Sequence, residues 1–337
     1  MVLPDLQIEN YRLFQDFKLE RLARVNLVAG KNNVGKSALL EAALLASTQN
    51  PRDALARILS HRGEREDERG EWVLSSLFFG YRLLHNSSIE IKAGNQQFKM
   101  YVSNGTEIAK DRDIFPIKIQ HSGASKPLEL RSVKGATEDL PHRVPWWGAK
   151  PDRTCLVRGT DTLYNRYREL SAWWDKIALT PQRHTVTKIL KIIEPRLQEV
   201  DFLRQQDNVK VLLEGMDTPV FMGSLGDGMQ HLLVIAIALA NSQGGILLLD
   251  EVESGLHYSV LIDFWRFLFQ ATRELDVQVI ATTHSWDCIA AFSQVWTEVE
   301  ETEGQFCRLG RVDEQILTEF YPPDELAFAV EQGIEIR

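Results

Sequence analysis

The amino-acid sequence predicts an α/β fold: a mixed, largely parallel central sheet with an antiparallel β lobe and an inserted helical lobe. Three observations predict it. Two short alternating strands, "LQIENYRLF" and "DFKLERL", precede a buried strand "VNLVAG" that runs through a loop into "KSALLEAALLAS", a strong helix former. Two more apolar strands, "GGILLLDE" and "VQVIATTHS", follow in the C-terminal third with a helical stretch between them, the alternation that builds parallel sheets. Between these halves, "SIEIKAGNQQFKMYVSNGTEIA" alternates apolar and polar residues, with AGN and SNG supplying hairpin turns.

The remaining elements follow in order. After the first helix, closed by "TQNPRD", residues 52–70 are dense in charge and read as a loop. Residues 72–120 form the antiparallel lobe, and 121–155 concentrate Pro, Gly and Trp without a readable period. From 160 to 200, "TLYNRYRELSAWWDKIAL" and "QRHTVTKILKIIEPRLQEV" carry helical spacing, the second broken at Pro195. "VKVLLEG" and "PVFMGS" read as strands and "MQHLLVIAIALANS" as a helix; a helix at 257–274 and a final α/β segment complete the chain. The expected organisation is a single unit over 1–337. Within it, 1–51 and 216–337 form the core, 52–120 a charged loop plus β lobe, and 121–215 an irregular and helical insertion. There is no internal repeat, and no heptad run is long enough for a coiled coil.

Composition narrows the class. With 44% hydrophobic and 25% charged residues, the chain reads as soluble and globular. Its longest apolar run, "LLVIAIALA", is about half the ~20 residues of a membrane span. Acidic residues near the N-terminus argue against export, so a cytoplasmic location without membrane contact is expected. Cys155, Cys288 and Cys307 are scattered with no CxxC pair, as in reduced thiols rather than a disulfide or zinc framework. The net charge of −9 is uneven: residues 297–337 hold 11 acidic and 3 basic residues, while 121–170 hold nine Lys/Arg against six Asp/Glu around "RVPWWGAKPDR". Solvated faces or a local DNA-facing patch would both account for it.

"GKNNVGKS" at 30–37 fits G-x-x-x-x-G-K-[ST] and sits where that pattern has meaning, after a buried strand and opening a helix. Gly30 and Gly35 let the backbone wrap a phosphate, with the amides of Lys31, Asn32, Asn33, Val34 and Ala38 and the helix N-terminus around the anion. Lys36 supplies a charge to the β- and γ-phosphates, and Ser37 a hydroxyl ligand for Mg²⁺. "ILLLDEVESGLH" then ends a buried strand in two carboxylates at the same sheet edge. Asp250 can hold Mg²⁺ through water, and Glu251 can take a proton from an attacking water. "VIATTHS" brings His284 to that edge, able to hydrogen-bond a γ-phosphate or the attacking water. The pairs in "PWWGAK" and "SAWWDK" could stack on bases or anchor a partner; core packing is the plainer reading.

Ahead of the acidic strand lies S-x-G-x-G-x-Q: Ser224, Gly226, Gly228 and Gln230. With the phosphate loop, the Asp–Glu strand and the histidine, this order resembles the ATP-binding-cassette heads of the SMC, RecF and OLD families. The opening "IENYRLF…VNLVAGKNNVGKS" is similar to the start of RecF-like and OLD-like ATPases, including Asn32 in the loop. The resemblance implies a P-loop NTPase of ABC-head type, a Mg²⁺-dependent ATPase. It further implies that the signature meets a γ-phosphate held by the opposite subunit and that Ser254, Gly255 and Leu256 form a D-loop at the seam. It suggests Gln120 as the glutamine of the Mg²⁺ shell and Arg12 as a residue near the nucleotide. The residues agree on one point: Ser224 with the amides of Gly226 and Gly228 at a helix N-terminus makes a second anion site, most simply serving a second nucleotide in a dimer.

Adenine rather than guanine follows from the resemblance and from the lack of an N-K-x-D motif, and a glycine-rich signature before the acidic strand argues against a ring-forming AAA+ motor. Only 188 positions separate Lys36 from Ser224, too few for an SMC-type arm. OLD-family nucleases continue into a TOPRIM domain, and no E…D-x-D pattern follows the ATPase motifs here. The resemblance therefore suggests ATP hydrolysis gating a separately encoded, TOPRIM-like effector in defence or DNA processing. A RecF-like DNA clamp with slow ATPase, and an ATP-dependent scaffold holding a toxic partner inactive, stand as alternatives.

Overall fold

A computed structural model describes residues 2–64, 72–103, 114–122, 126–133, 136–140, 153–161 and 163–337. The chain opens with β1 (Leu6–Tyr11), β2 (Phe14–Leu19) and β3 (Val25–Gly30), then α1 (Lys36–Ser47) and α2 (Pro51–His61). The short strand β4 (Trp72–Val73) leads to β5 (Ser88–Ala93), β6 (Gln96–Val102), β7 (Ile114–His121), β8 (Leu128–Val133) and β9 (Ala136–Thr137). β10 (Thr154–Arg158), α3 (Leu163–Ile177), α4 (Gln182–Leu190), β11 (Leu197–Leu203), β12 (Asn208–Leu213) and β13 (Val220–Phe221) follow. The chain then runs through α5 (Asp227–Asn241), β14 (Ile246–Asp250), α6 (Leu261–Glu274), β15 (Gln278–Thr283) and α7 (Trp286–Trp296). It closes with β16 (Gly304–Val312), β17 (Gln315–Tyr321) and α8 (Pro323–Glu331).

The central sheet has the order β10-β14-β15-β3-β16-β17, parallel throughout except for β17. Every residue of β3, β14 and β15 is buried, which explains their unbroken apolar runs: a parallel strand is covered on both faces. One face carries Val25, Leu27, Leu247, Leu249 and Val279 into a core shared with α3 to α7. The other carries Val28, Ile246, Leu248 and Ile280 into a core shared with α1, α2 and a second sheet. That sheet is antiparallel, ordered β2-β1-β5-β6-β7-β8-β9-β4. Helix α1 packs between the two sheets, so it is apolar nearly all round rather than amphipathic. A third, small sheet, β11-β12-β13, sits with α4 in the helical part. Among the described residues no helix is long and apolar enough to cross a membrane, and all three cysteines are buried and free.

Three segments differ from the sequence reading. Residues 52–61, expected in a charged loop, belong to α2; residues 65–71 of that stretch lie outside the described residues. "QNP" reads as a stop after α1, yet Asn50 accepts the amide of Asp53 as an N-cap and Pro51 fills the first turn, where its missing N–H costs nothing. Residues 197–200, read as the end of a helical stretch, form strand β11 together with 201–203. The helical spacing of Leu197 and Val200 arises from a β-bulge between Leu197 and Glu199, which puts residues three apart on one face. Residues 154–158, within the stretch read as irregular and helical, are the edge strand of the central sheet, in parallel register with β14. The "PWWGAK" pair lies outside the described residues. In "SAWWDK", Trp174 is buried against Phe202 with ring centroids 5.4 Å apart, and Trp173 carries the Arg166 guanidinium at 5.2 Å: core packing, as the plainer reading expected.

Candidate functional site

The site is built on the carboxyl edge of the central sheet, where β3 and β14 both stop. After β3, residues Gly30 to Gly35 turn into α1, with Asn33 at φ 64° and Gly35 at φ 95°. Gly35 must be glycine: its conformation is left-handed, and a Cβ would lie 2.9 Å from the Phe14 ring. Lys31, Asn32 and Asn33 are exposed on the loop, Val34 and Ala38 face the core, and Ser37 is half-buried in the first turn of α1. The Lys36 ammonium donates to the carbonyls of Gly30 (2.6 Å) and Lys31 (2.9 Å). Burial pushes its pKa down, while Asp250, Glu251 and Glu253 together hold it up. Three carboxylates therefore face one lysine across the edge.

Asp250 ends β14 and is buried; its Oδ1 accepts the Thr282 hydroxyl at 2.5 Å. The same Thr282 oxygen accepts the amide of Glu251 at 3.0 Å. This holds Glu251 at φ 53°, a left-handed conformation that costs a non-glycine residue about 1–3 kcal/mol and persists only where the surroundings impose it. Its carboxylate stays half-exposed. His284, just past β15, places Nδ1 3.8 Å from Glu251 Oε1 and 3.4 Å from Glu253 Oε1. The edge thus gathers a lysine, a buried and a half-exposed carboxylate, and a histidine. Such a set can receive polyphosphate, hold a cation through oxygen, and accept a proton from water.

Ser224, Gly226 and Gly228 lie where a short 3-10 turn enters α5; Ser224 and Gly226 are exposed. Gln230 is buried and donates to Asp227 Oδ1 at 3.2 Å, closing the first turn. Within the chain this segment packs on the turn after Glu251: a Cβ on Gly228 would stand 2.4 Å from the Gly255 carbonyl oxygen. In that same turn Ser254 donates to the carbonyl of Gly159 at 3.0 Å, and Leu256 is partly buried.

The structure brings Lys36, Asp250, Glu251 and His284 together, while the described contacts of Gln120 and Arg12 are with other residues. Gln120 is exposed on β7 of the antiparallel sheet, opposite Lys99, whereas Asp250 is on the central sheet. The strands beside β14 are β10 and β15, and on β10 the residue in register with Asp250 is Arg158. Arg12 is buried in ion pairs with Glu41 (2.8 Å) and Glu64 (2.8 Å). Glu41, on α1, also meets Arg62 (2.9 Å), Arg158 (3.4 Å) and the Tyr11 hydroxyl (3.2 Å). Arg158 continues the web: its amide donates to Asp161, which pairs with Arg166 at 2.6 Å, and Arg166 pairs with Glu169. Thr282, Arg158 and Glu253 escaped the sequence reading; Glu253 alone left a signal, as a third carboxylate in "DEVE".

Fold and site together define a P-loop ATPase with the ABC-type head of the RecF/SMC group. The family pattern described as "AAA domain, putative AbiEii toxin, Type IV TA system" matches residues 25–287, and the chain belongs to that family. Similar in sequence over nearly its full length is an ATP/GTP phosphatase of Helicobacter pylori, 22% identical over 373 residues, covering 98% of this chain and 98% of that protein. A shorter likeness, 48% identical over 46 residues, is to the DNA double-strand break repair Rad50 ATPase of Archaeoglobus fulgidus, covering 14% of this chain and 5% of that protein. In structure, the chain is similar to an Smc head bound to the C-winged helix domain of ScpA (TM-score 0.55, 10% identity, 96% of this chain and 98% of that one). It is also similar to a Pyrococcus furiosus Smc head bound to the C-terminal domain of ScpA (TM-score 0.52, 10% identity, 99% of each chain). At these identities the solved structures establish the fold.

Proposed function

We propose that the chain is a cytoplasmic, Mg²⁺-dependent ATPase that works as a head-to-head pair, with two ATP molecules sandwiched between copies. The observation that carries this reading is a second helix N-terminus suited to an anion, at α5, besides the phosphate loop at α1 whose lysine lies near the carboxylates. The exposed start of α5 has Ser224 and glycine amides free to meet a phosphate held by a second copy. In this scheme the loop amides and Lys36 bind the β- and γ-phosphates, and Glu251 takes the proton of the attacking water. His284 hydrogen-bonds the γ-phosphate or the attacking water. Asp250 and the Ser37 hydroxyl are hard oxygen donors that suit Mg²⁺, whose chemistry is to neutralise charge developing on the phosphates. Gln120 and Arg12 take no part in the scheme.

Hydrolysis would reopen the pair and so gate a partner. The ScpA domains seen on Smc heads support a protein partner, and the likeness of the opening motif to OLD-type ATPases favours a separately encoded TOPRIM-like nuclease in defence or DNA processing. A second reading, a DNA-responsive clamp with slow turnover, draws on the short Rad50 likeness. DNA-stimulated ATPase activity falling steeply with salt would favour that clamp. The central test is Glu251→Gln: ATP binding persists, turnover is lost, and the pair accumulates on gel filtration with ATP and Mg²⁺. Normal hydrolysis by this variant would refute the assignment of the base.

A further inference from the structure

Among the three described carboxylates at the edge, Glu253 is the one for which the phosphate-loop chemistry has no use, and it is far less exposed than Glu251: its side chain is 11% exposed, against 45%. Oε1 accepts the backbone amide of His284 at 3.2 Å and lies 3.4 Å from the His284 ring Nδ1. One carboxylate oxygen thus anchors the main chain of a residue 31 positions away and lies beside its ring nitrogen. Oε2 is buried and meets no hydrogen-bond partner among the described residues.

We infer that Glu253 is the positioning residue for His284: its carboxylate beside Nδ1 draws the Nδ1–H and leaves the Nε2 lone pair to meet the substrate, where it accepts a hydrogen bond from the attacking water. This rests on the proposed role of His284 beside that water. A histidine whose one nitrogen donates to a carboxylate is fixed in tautomer and in ring orientation. Two carboxylates compete for that nitrogen here, and the buried Glu253 is the nearer. Glu253 therefore keeps His284 from pairing with Glu251, whose hydrated carboxylate stays free to accept the proton of water. A side chain that orients a group without touching the substrate affects turnover more than binding, because misplacing a reacting group by 1 Å costs on the order of 10²-fold in rate.

The test is a double-mutant cycle on the full chain. Steady-state ATPase and binding of a fluorescent ATP analogue are measured for Glu253→Gln, His284→Ala and the two combined. Glu253→Gln keeps an oxygen for the His284 amide but loses the charge; it lowers kcat by about 10- to 100-fold with analogue affinity within about twofold of the parent. The combined variant is no slower than His284→Ala alone. Losses that multiply, or a Glu253→Gln variant with parental kcat, overturn the inference. Glu253→Ala, with thermal melting measured alongside, separates loss of the amide anchor from loss of the charge. Lys36→Ala and Glu251→Gln run in the same assay: if they hydrolyse ATP normally the active-site reading itself is wrong. Multiplying losses beside an inactive Glu251→Gln remove only the role of Glu253.

Discussion

Glu41 gives a prediction whose size follows from the structure. It is buried on α1, inside a ring formed by Arg12, Arg62, Arg158 and the Tyr11 hydroxyl at 2.8, 2.9, 3.4 and 3.2 Å. On truncation to alanine, Arg62 is exposed enough to regain water and Arg12 keeps Glu64. Arg158, largely buried, loses its carboxylate, and the buried tyrosine hydroxyl loses its acceptor. Breaking a buried ion pair from one side costs about 3–5 kcal/mol. With an unfolding entropy of about 0.7 kcal/mol/K for 337 residues, Tm falls by about 4–7 °C. Differential scanning calorimetry without nucleotide measures it. The charge-removal signature is that Glu41→Leu combined with Arg158→Met costs less than Glu41→Ala alone, since no unpaired cation is left behind. A Glu41→Ala variant within about 1 kcal/mol of the parent, or strictly additive losses in the double variant, would refute the reasoning.

Three further outcomes are expected. Ser224→Arg abolishes turnover while leaving nucleotide binding intact, and mixing it with Lys36→Ala restores part of the activity, because one composite site then has an intact loop and an intact signature; a mixture as dead as its components counts against action in trans. Gly228→Ala forces the α5 start off the Gly255 carbonyl, so ATPase activity drops at least tenfold with analogue binding retained, whereas unchanged activity would mean that the turn yields freely. His231 is buried on α5, and burial pushes its imidazole below the ordinary 6.5, with Asp161 partly offsetting this. The unfolded chain then binds the proton first, so stability present above about pH 6.5 is lost as pH falls from there toward the folded value. In urea melts from pH 7.5 to 5.5, His231→Phe flattens that slope, and an unaltered slope assigns it to other groups.

How much was legible depended on where the information lies along the chain. The phosphate loop, Asp250, Glu251 and His284 were readable because each is a backbone event, a strand ending in a loop, written in consecutive residues. Helix α2 was not, because Asn50–Pro51 serves equally as a stop and as a start, and only burial of Leu55, Ile58 and Leu59 decides between them. Strand β11 was hidden by a bulge that gives a strand the spacing of a helix. Least legible was the buried charge: Arg57 meets Glu169 and Arg158 meets Glu41, each across more than 100 residues. Nothing in local composition distinguishes those side chains from solvated ones. The surroundings of the acidic strand were hidden for a related reason: they are a matter of sheet order, which puts Arg158 in register with Asp250 and Gln120 on the antiparallel sheet.

The close approach of Gly228 to Gly255 leaves no side chain between the first turn of α5 and the turn that follows Glu251. Main chain bears on main chain there, so any side chain at Gly228 has to part the two segments. Because α5 also packs along α3 and α4, the helical part of the chain and the turn after Glu251 rest on one and the same helix.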